Sequence, residues 1–128
     1  MSGRVTTHVL DLSQGTPAAG IALQLWRLED SGGRQLLREA LTNSDGRLDA
    51  PLLEGTELDP GCYELLFMAG QYFRKGSSGY SGNGETAGGH DSFFLEEIPV
   101  RFNIADSSVH YHVPLLVAPG GYSTYRGS

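Results

Sequence analysis

The sequence predicts an all-β fold: an antiparallel β-sandwich of about eight short strands with one short helix. Three observations carry this. Apolar and polar residues alternate with period two over most of the chain, the pattern of a half-buried strand. Clusters of Gly, Pro, Asn and Asp punctuate that pattern at short, regular intervals. Only one segment, Ala69 to Lys75, suits a helix, and it is long enough for one or two turns.

The first strand runs from Arg4 to Asp11, with Val5, Thr7 and Val9 on one face and Thr6, His8 and Leu10 on the other. Ser13 to Gly20 is a turn containing Gly15 and Pro17. The second strand, Ile21 to Glu29, sets Ile21, Leu23 and Leu25 against Ala22, Gln24, Trp26 and Leu28, so both faces are covered. Asp30 to Gly33 is a tight connection into a third strand, Gln35 to Leu41. Asn43-Ser-Asp-Gly46 is a strong turn signal because Asn and Gly tolerate positive φ. A short fourth strand is expected over Arg47 to Leu52. Leu58 to Gly61 turns into the fifth, Cys62 to Met68.

After the helix, residues 76–92 hold six glycines and no aliphatic side chain larger than Ala87, and they read as a long surface loop. Strand character resumes from Phe93 to Ile104, with Ile98, Val100, Phe102 and Ile104 on one face. The last two strands are Val109 to Val117 and Tyr122 to Ser128, joined through Pro119-Gly-Gly121. With no internal repeat, the 128 residues form a single domain, 1–128.

Composition excludes several function classes. The net charge is −6, with a sequence pI near 5.0 and no basic stripe, so nucleic acid is not a partner. No apolar run approaches the roughly 20 residues of a membrane helix, and Met1 to His8 contains no signal-peptide core. Cys62 is the lone cysteine, so no internal disulfide forms, which fits a reducing, cytoplasmic setting.

The chemistry-bearing residues concentrate at the two chain ends. His110, His112, Pro114 and Leu116 share one strand face; Tyr111, Val113, Leu115 and Val117 share the other, which is uniformly apolar and so faces the core. His112 therefore points away from the core, as His8 does on the first strand. A half-apolar outer face bearing histidines implies a cleft or a subunit interface. Strand histidines are ordinarily solvated or hydrogen-bonded, and His90, in the glycine-rich loop, reads as solvated. A His-x-His pair with a third histidine also has the composition of a zinc site, but no ligand spacing accompanies it. Arg47, after Asp45-Gly46, reads either as a solvated turn arginine or as a cation aimed into a cleft. Nucleophile-elbow, phosphate-loop and Cys-x-x-Cys motifs are absent.

Five motifs in order, Thr7-His-Val-Leu-Asp11, Gly15-x-Pro-Ala-x-Gly20, Thr42-x-x-Asp-Gly-Arg47, His110-Tyr-His-Val-Pro-Leu-Leu116 and Gly121-Tyr-Ser-Thr-Tyr-Arg-Gly-Ser128, resemble the 5-hydroxyisourate hydrolase family, transthyretin-like enzymes of urate breakdown. The resemblance spans nearly the whole chain, and the terminal Tyr-Arg-Gly-Ser is its most specific part. It implies a transthyretin-like sandwich, a homotetramer around a central channel, and the hydrolytic opening of 5-hydroxyisourate to 2-oxo-4-hydroxy-4-carboxy-5-ureidoimidazoline. It assigns catalysis to His8, Arg47 and His112, and substrate contacts to His8, Arg47, Tyr125 and Ser128, with no metal and no organic cofactor. The sequence does not choose between His8 and His112 as the general base; we assign the role to His112, kept neutral by the Arg47 charge. The contrasting expectation is a transthyretin-like carrier that binds without turnover; the fold is common to both, so side-chain identity separates them. The chain departs from the family in its glycine-rich insertion, about a dozen residues within 76–92, which loop-closure entropy tolerates.

Overall fold

Alternate burial begins with the first strand. In β1, Arg4–Asp11, Val5, Thr7, Val9 and Asp11 are buried and the residues between them are not. The computed structural model describes residues 3–77 and 93–128. The remaining elements are β2 (Thr16–Pro17), β3 (Ala22–Leu28), β4 (Arg34–Leu41), β5 (Leu53–Glu54), a 3₁₀ turn at Gly55–Glu57, β6 (Gly61–Phe67), α1 (Ala69–Ser77), β7 (Ile98–Ile104), β8 (His110–Ala118) and β9 (Gly121–Thr124). The insertion at 76–92 lies outside the described residues, apart from its first two, which extend the helix.

Two sheets form the sandwich. One is ordered β2-β1-β8-β9, with β5 also pairing β1; the other is β4-β3-β6-β7. Val5, Val9, Tyr111, Val113, Leu115 and Val117 from the first sheet meet Leu23, Leu25, Tyr63, Leu65, Phe67, Ile98 and Ile104 from the second. Each large apolar side chain so buried contributes roughly 1.5–3 kcal/mol. The face assignments made for β1 and β7 hold, and that for β8 holds except that Pro114, expected on the outer face, is also buried.

One pairing is not antiparallel. β1 and β8 run parallel over eight residue pairs, including Arg4 with His110, Thr6 with His112 and His8 with Pro114. The outer-face residues of the two chain ends therefore lie side by side, and this register builds the site.

Four boundaries differ from expectation. Arg47 to Leu52 is no strand: Arg47 makes one bridge to His8, and pairing resumes only at Leu53 and Glu54. Pro51 has no N–H to offer a ladder. Within the expected Ser13–Gly20 turn, Thr16 and Pro17 pair back onto Asp11 and Leu10. Phe93 to Glu97 stays irregular because it packs over α1, with the Phe93 ring against Phe73 and Glu96 bound by both Arg74 terminal nitrogens at 2.8 Å. The final strand stops at Thr124, after which the backbone leaves the β8 ladder and returns only at Gly127.

Candidate active site

The turn before Arg47 is built by two of its own residues. The Asn43 side-chain carbonyl accepts the N–H of Asp45 at 2.9 Å and of Arg47 at 3.1 Å. Gly46 has φ +75°, and a Cβ there would collide with the Val9 carbonyl oxygen, so only glycine fits. Val9 N–H donates to the Gly46 carbonyl at 2.8 Å. The turn is thereby pressed onto β1, with Arg47 bridged to His8.

Beside it opens a cleft of about 360 Å³, walled by Arg4, Thr6, His110 and His112 from the parallel pair, and by Arg47 and Ser128; Thr7 and residues 48–51 complete it. Thr6 is central. Its hydroxyl lies 2.7 Å from Nε2 of His110 and 2.8 Å from Nδ1 of His112. The hydroxyl has one proton, so both ring nitrogens cannot be acceptors, and at least one ring donates to it. Thr6 engages Nδ1 of His112, which leaves Nε2 as the nitrogen for a substrate. His8 is held differently: its Nε2 lies 2.9 Å from the Asp45 carbonyl, which can only accept. His8 therefore carries its proton on Nε2, and Nδ1 is its basic nitrogen when neutral.

The electrostatics favour uncharged imidazoles. His112 is held below the ordinary histidine range, first by burial and then by the positive charges of His110, Arg47 and His8. The Arg47 charge acts as expected, but burial is the larger cause. His110 is likewise lowered, by burial and then by Arg4.

The five residues singled out from sequence do not all share one cavity. Arg47, His112 and Ser128 line the cleft; His8 stands beside it on β1; Tyr125 is 60% exposed and lines a second, smaller cavity of about 190 Å³. His112 borders both cavities. Within the Tyr-Arg-Gly-Ser ending, Arg126 lies over the Tyr111 ring at 4.7 Å, a cation–π contact that anchors the segment. Thr6, Arg4 and the role of His110 were missed. Thr6 shares its face with His8, but only the parallel register puts it opposite His112. Among the described residues, no three His, Cys, Asp or Glu side chains converge as metal ligands, and no helix is long and apolar enough to cross a membrane.

The HIUase/Transthyretin family profile matches residues 5–127. A 5-hydroxyisourate hydrolase of Halalkalibacterium halodurans is 55% identical over 128 residues, all of both chains. The structure of Klebsiella pneumoniae 5-hydroxyisourate hydrolase is similar with TM-score 0.76 and 32% identity, covering 98% of this chain and 99% of that one. Sea bream transthyretin in complex with thyroxine superposes with TM-score 0.80 at 22% identity, covering 97% of this chain and 94% of that one, a likeness of fold alone.

Proposed function

The chain belongs to the HIUase/Transthyretin family, and from that membership and the cleft we propose that it is a hydrolase that opens the six-membered ring of 5-hydroxyisourate, giving 2-oxo-4-hydroxy-4-carboxy-5-ureidoimidazoline. The observation that carries this is the convergence of Arg47, His112 and Ser128 on one cleft. Full-length identity to a named 5-hydroxyisourate hydrolase supports it.

Water attacks a ring carbonyl carbon and loses a proton to Nε2 of His112, a neutral base suited to pH near 7. The Arg47 guanidinium, planar and always charged, binds the carbonyl oxygen as it becomes an oxyanion. The ring C–N bond then breaks, and the departing nitrogen takes its proton from the His112 imidazolium. Nδ1 of His8 orients the water or the substrate. Ser128 and Tyr125 bind polar edges of the heterocycle, with Tyr125 reaching it from the adjoining cavity. This chemistry uses no metal and no organic cofactor.

The chain acts as one domain and as a homotetramer. The exposure of Leu12 and Tyr122, large apolar residues beside or on the histidine-bearing sheet, supports assembly through that region. The unpaired Cys62 supports a cytoplasmic location. The test is decay of freshly generated 5-hydroxyisourate with and without purified protein. Catalytic acceleration over spontaneous decay is expected. Stoichiometric protection without turnover would establish a carrier instead.

A further inference from the structure

We propose that Thr6 and His110 are positioning residues that hold His112 as its Nδ1–H tautomer. The inference rests on the assignment of His112 as base. The Thr6 hydroxyl stands between the two rings, 2.7 Å from Nε2 of His110 and 2.8 Å from Nδ1 of His112. One proton on that oxygen couples the rings: if it points to one, the other must donate. When Thr6 donates to His110, His112 Nδ1–H donates to Thr6, and His112 Nε2 presents its lone pair to the cleft. When the line reverses, Nε2 carries the proton and His112 cannot accept one from water. Thr6 thus decides whether the base is usable, through an atom that need not touch substrate.

The far end of the line permits this direction. His110 is the cross-strand partner of Arg4 in the parallel register. Burial and the Arg4 cation both disfavour an imidazolium there. A neutral His110 can accept the Thr6 proton at Nε2; a protonated one cannot. The backbone fixes the other side of the base, because Gly127 packs against the carbon edge of the His112 ring. The ring is therefore held by a hydrogen bond at Nδ1 and by a close wall at Cδ2.

The experiment is ring-nitrogen NMR of ¹⁵N-histidine protein without substrate, paired with steady-state kinetics. Wild type should show His112 as Nδ1–H. Thr6→Ser, which keeps the hydroxyl, and His110→Gln, which keeps an acceptor, should preserve both the tautomer and kcat within a few-fold. Thr6→Val and His110→Phe should move His112 toward Nε2–H and lower kcat by about tenfold or more, with KM little changed. A wild-type His112 in the Nε2–H form overturns the proposal, and that reading needs no variant to fold. An unchanged tautomer in either Thr6→Val or His110→Phe overturns it too. If the tautomers behave as stated but wild type does not accelerate 5-hydroxyisourate decay, the positioning line stands and the hydrolase reading fails.

Discussion

Gly127 donates its N–H to the His112 carbonyl at 2.8 Å, and a Cβ at 127 would lie 2.5 Å from Cδ2 of the His112 imidazole. No side chain fits that space without moving the ring or the terminal backbone. Gly127→Ala should therefore displace His112 from Thr6. A shift of about 1 Å at a reacting group costs about 10²-fold in rate. The Tm should hardly change, since residue 127 lies outside the core. Turnover and thermal melts on the same preparation check this; a fully active Gly127→Ala would mean the ring position is not critical.

The roles of the cleft's cation and base separate by substitution. His112→Gln keeps size and polarity but not basicity, and should lower kcat by about 10²–10⁴-fold. Arg47→Lys keeps the charge but loses the planar fork, and should cost about 10²-fold. His8→Ala should also be slow. If both His8→Ala and His112→Ala turn over near the wild-type rate, the assignment collapses.

How legible this site was depends on what local pattern can encode. Alternation told which side of β8 faces the core, so His112 was correctly turned outward. Asn43-Ser-Asp-Gly46 announced its turn, because glycine alone suits that backbone. The parallel pairing of β1 with β8 was not legible, since an alternating strand buries the same residues whichever way its neighbour runs. Thr6 was missed for that reason: its importance comes entirely from the register that sets it against His112. Tyr125 and Ser128 were read as one unit, yet they line different cavities because the backbone leaves the ladder after Thr124. Arg47 to Leu52 had the length of a strand, but Pro51 breaks the donor row and pairing resumes only at Leu53.

The depressed imidazoles give a pH signature. The acid limb of kcat/KM should fall below the ordinary histidine value of 6.5. Arg47→Gln removes a positive neighbour and should raise it. The same shift acts on stability. Folded His110 and His112 bind protons less readily than in the unfolded chain, so the unfolded state takes up protons first as pH drops. Stability from these groups is present above 6.5 and is lost as pH falls through their folded values. Denaturant midpoints from pH 7.5 to 5 should decline, and less steeply in a His110→Gln, His112→Gln double variant.

Away from the site, Asp11 is a charge buried to 1% exposure at the end of β1. It accepts hydrogen bonds from the Tyr72 hydroxyl at 2.7 Å and from both Ser13 donors. Burial, and then this bond, raise the Tyr72 phenol well above its ordinary range, so it stays a donor. The contact ties α1 to the histidine-bearing sheet. Tyr72→Phe should destabilise by about 1.5–3 kcal/mol, and Asp11→Ala by at least as much. Denaturant unfolding measures both. The kinetics of the surviving folded protein should match wild type; a loss of kcat in Tyr72→Phe would mean the helix communicates with the cleft.

Deleting Tyr125 to Ser128 separates the fold's needs from the site's. β9 ends at Thr124, and its four pairs with Leu115 to Ala118 survive the deletion. None of the four lost residues belongs to the buried core. The structural losses are the Arg126 contact over Tyr111 and one bridge to His112, each worth about 1 kcal/mol. The site loses more: the wall beside His112, the Ser128 hydroxyl in the cleft and the Tyr125 phenol in the next cavity. Activity should fall by about 10²-fold or more from mispositioning alone, while the Tm shifts by only a few degrees. Ser128→Ala and Tyr125→Phe then divide the effect. A cleft-facing role for Ser128 predicts the larger share for the first. A deletion that unfolds the chain, or leaves turnover intact, would place the function of this segment elsewhere.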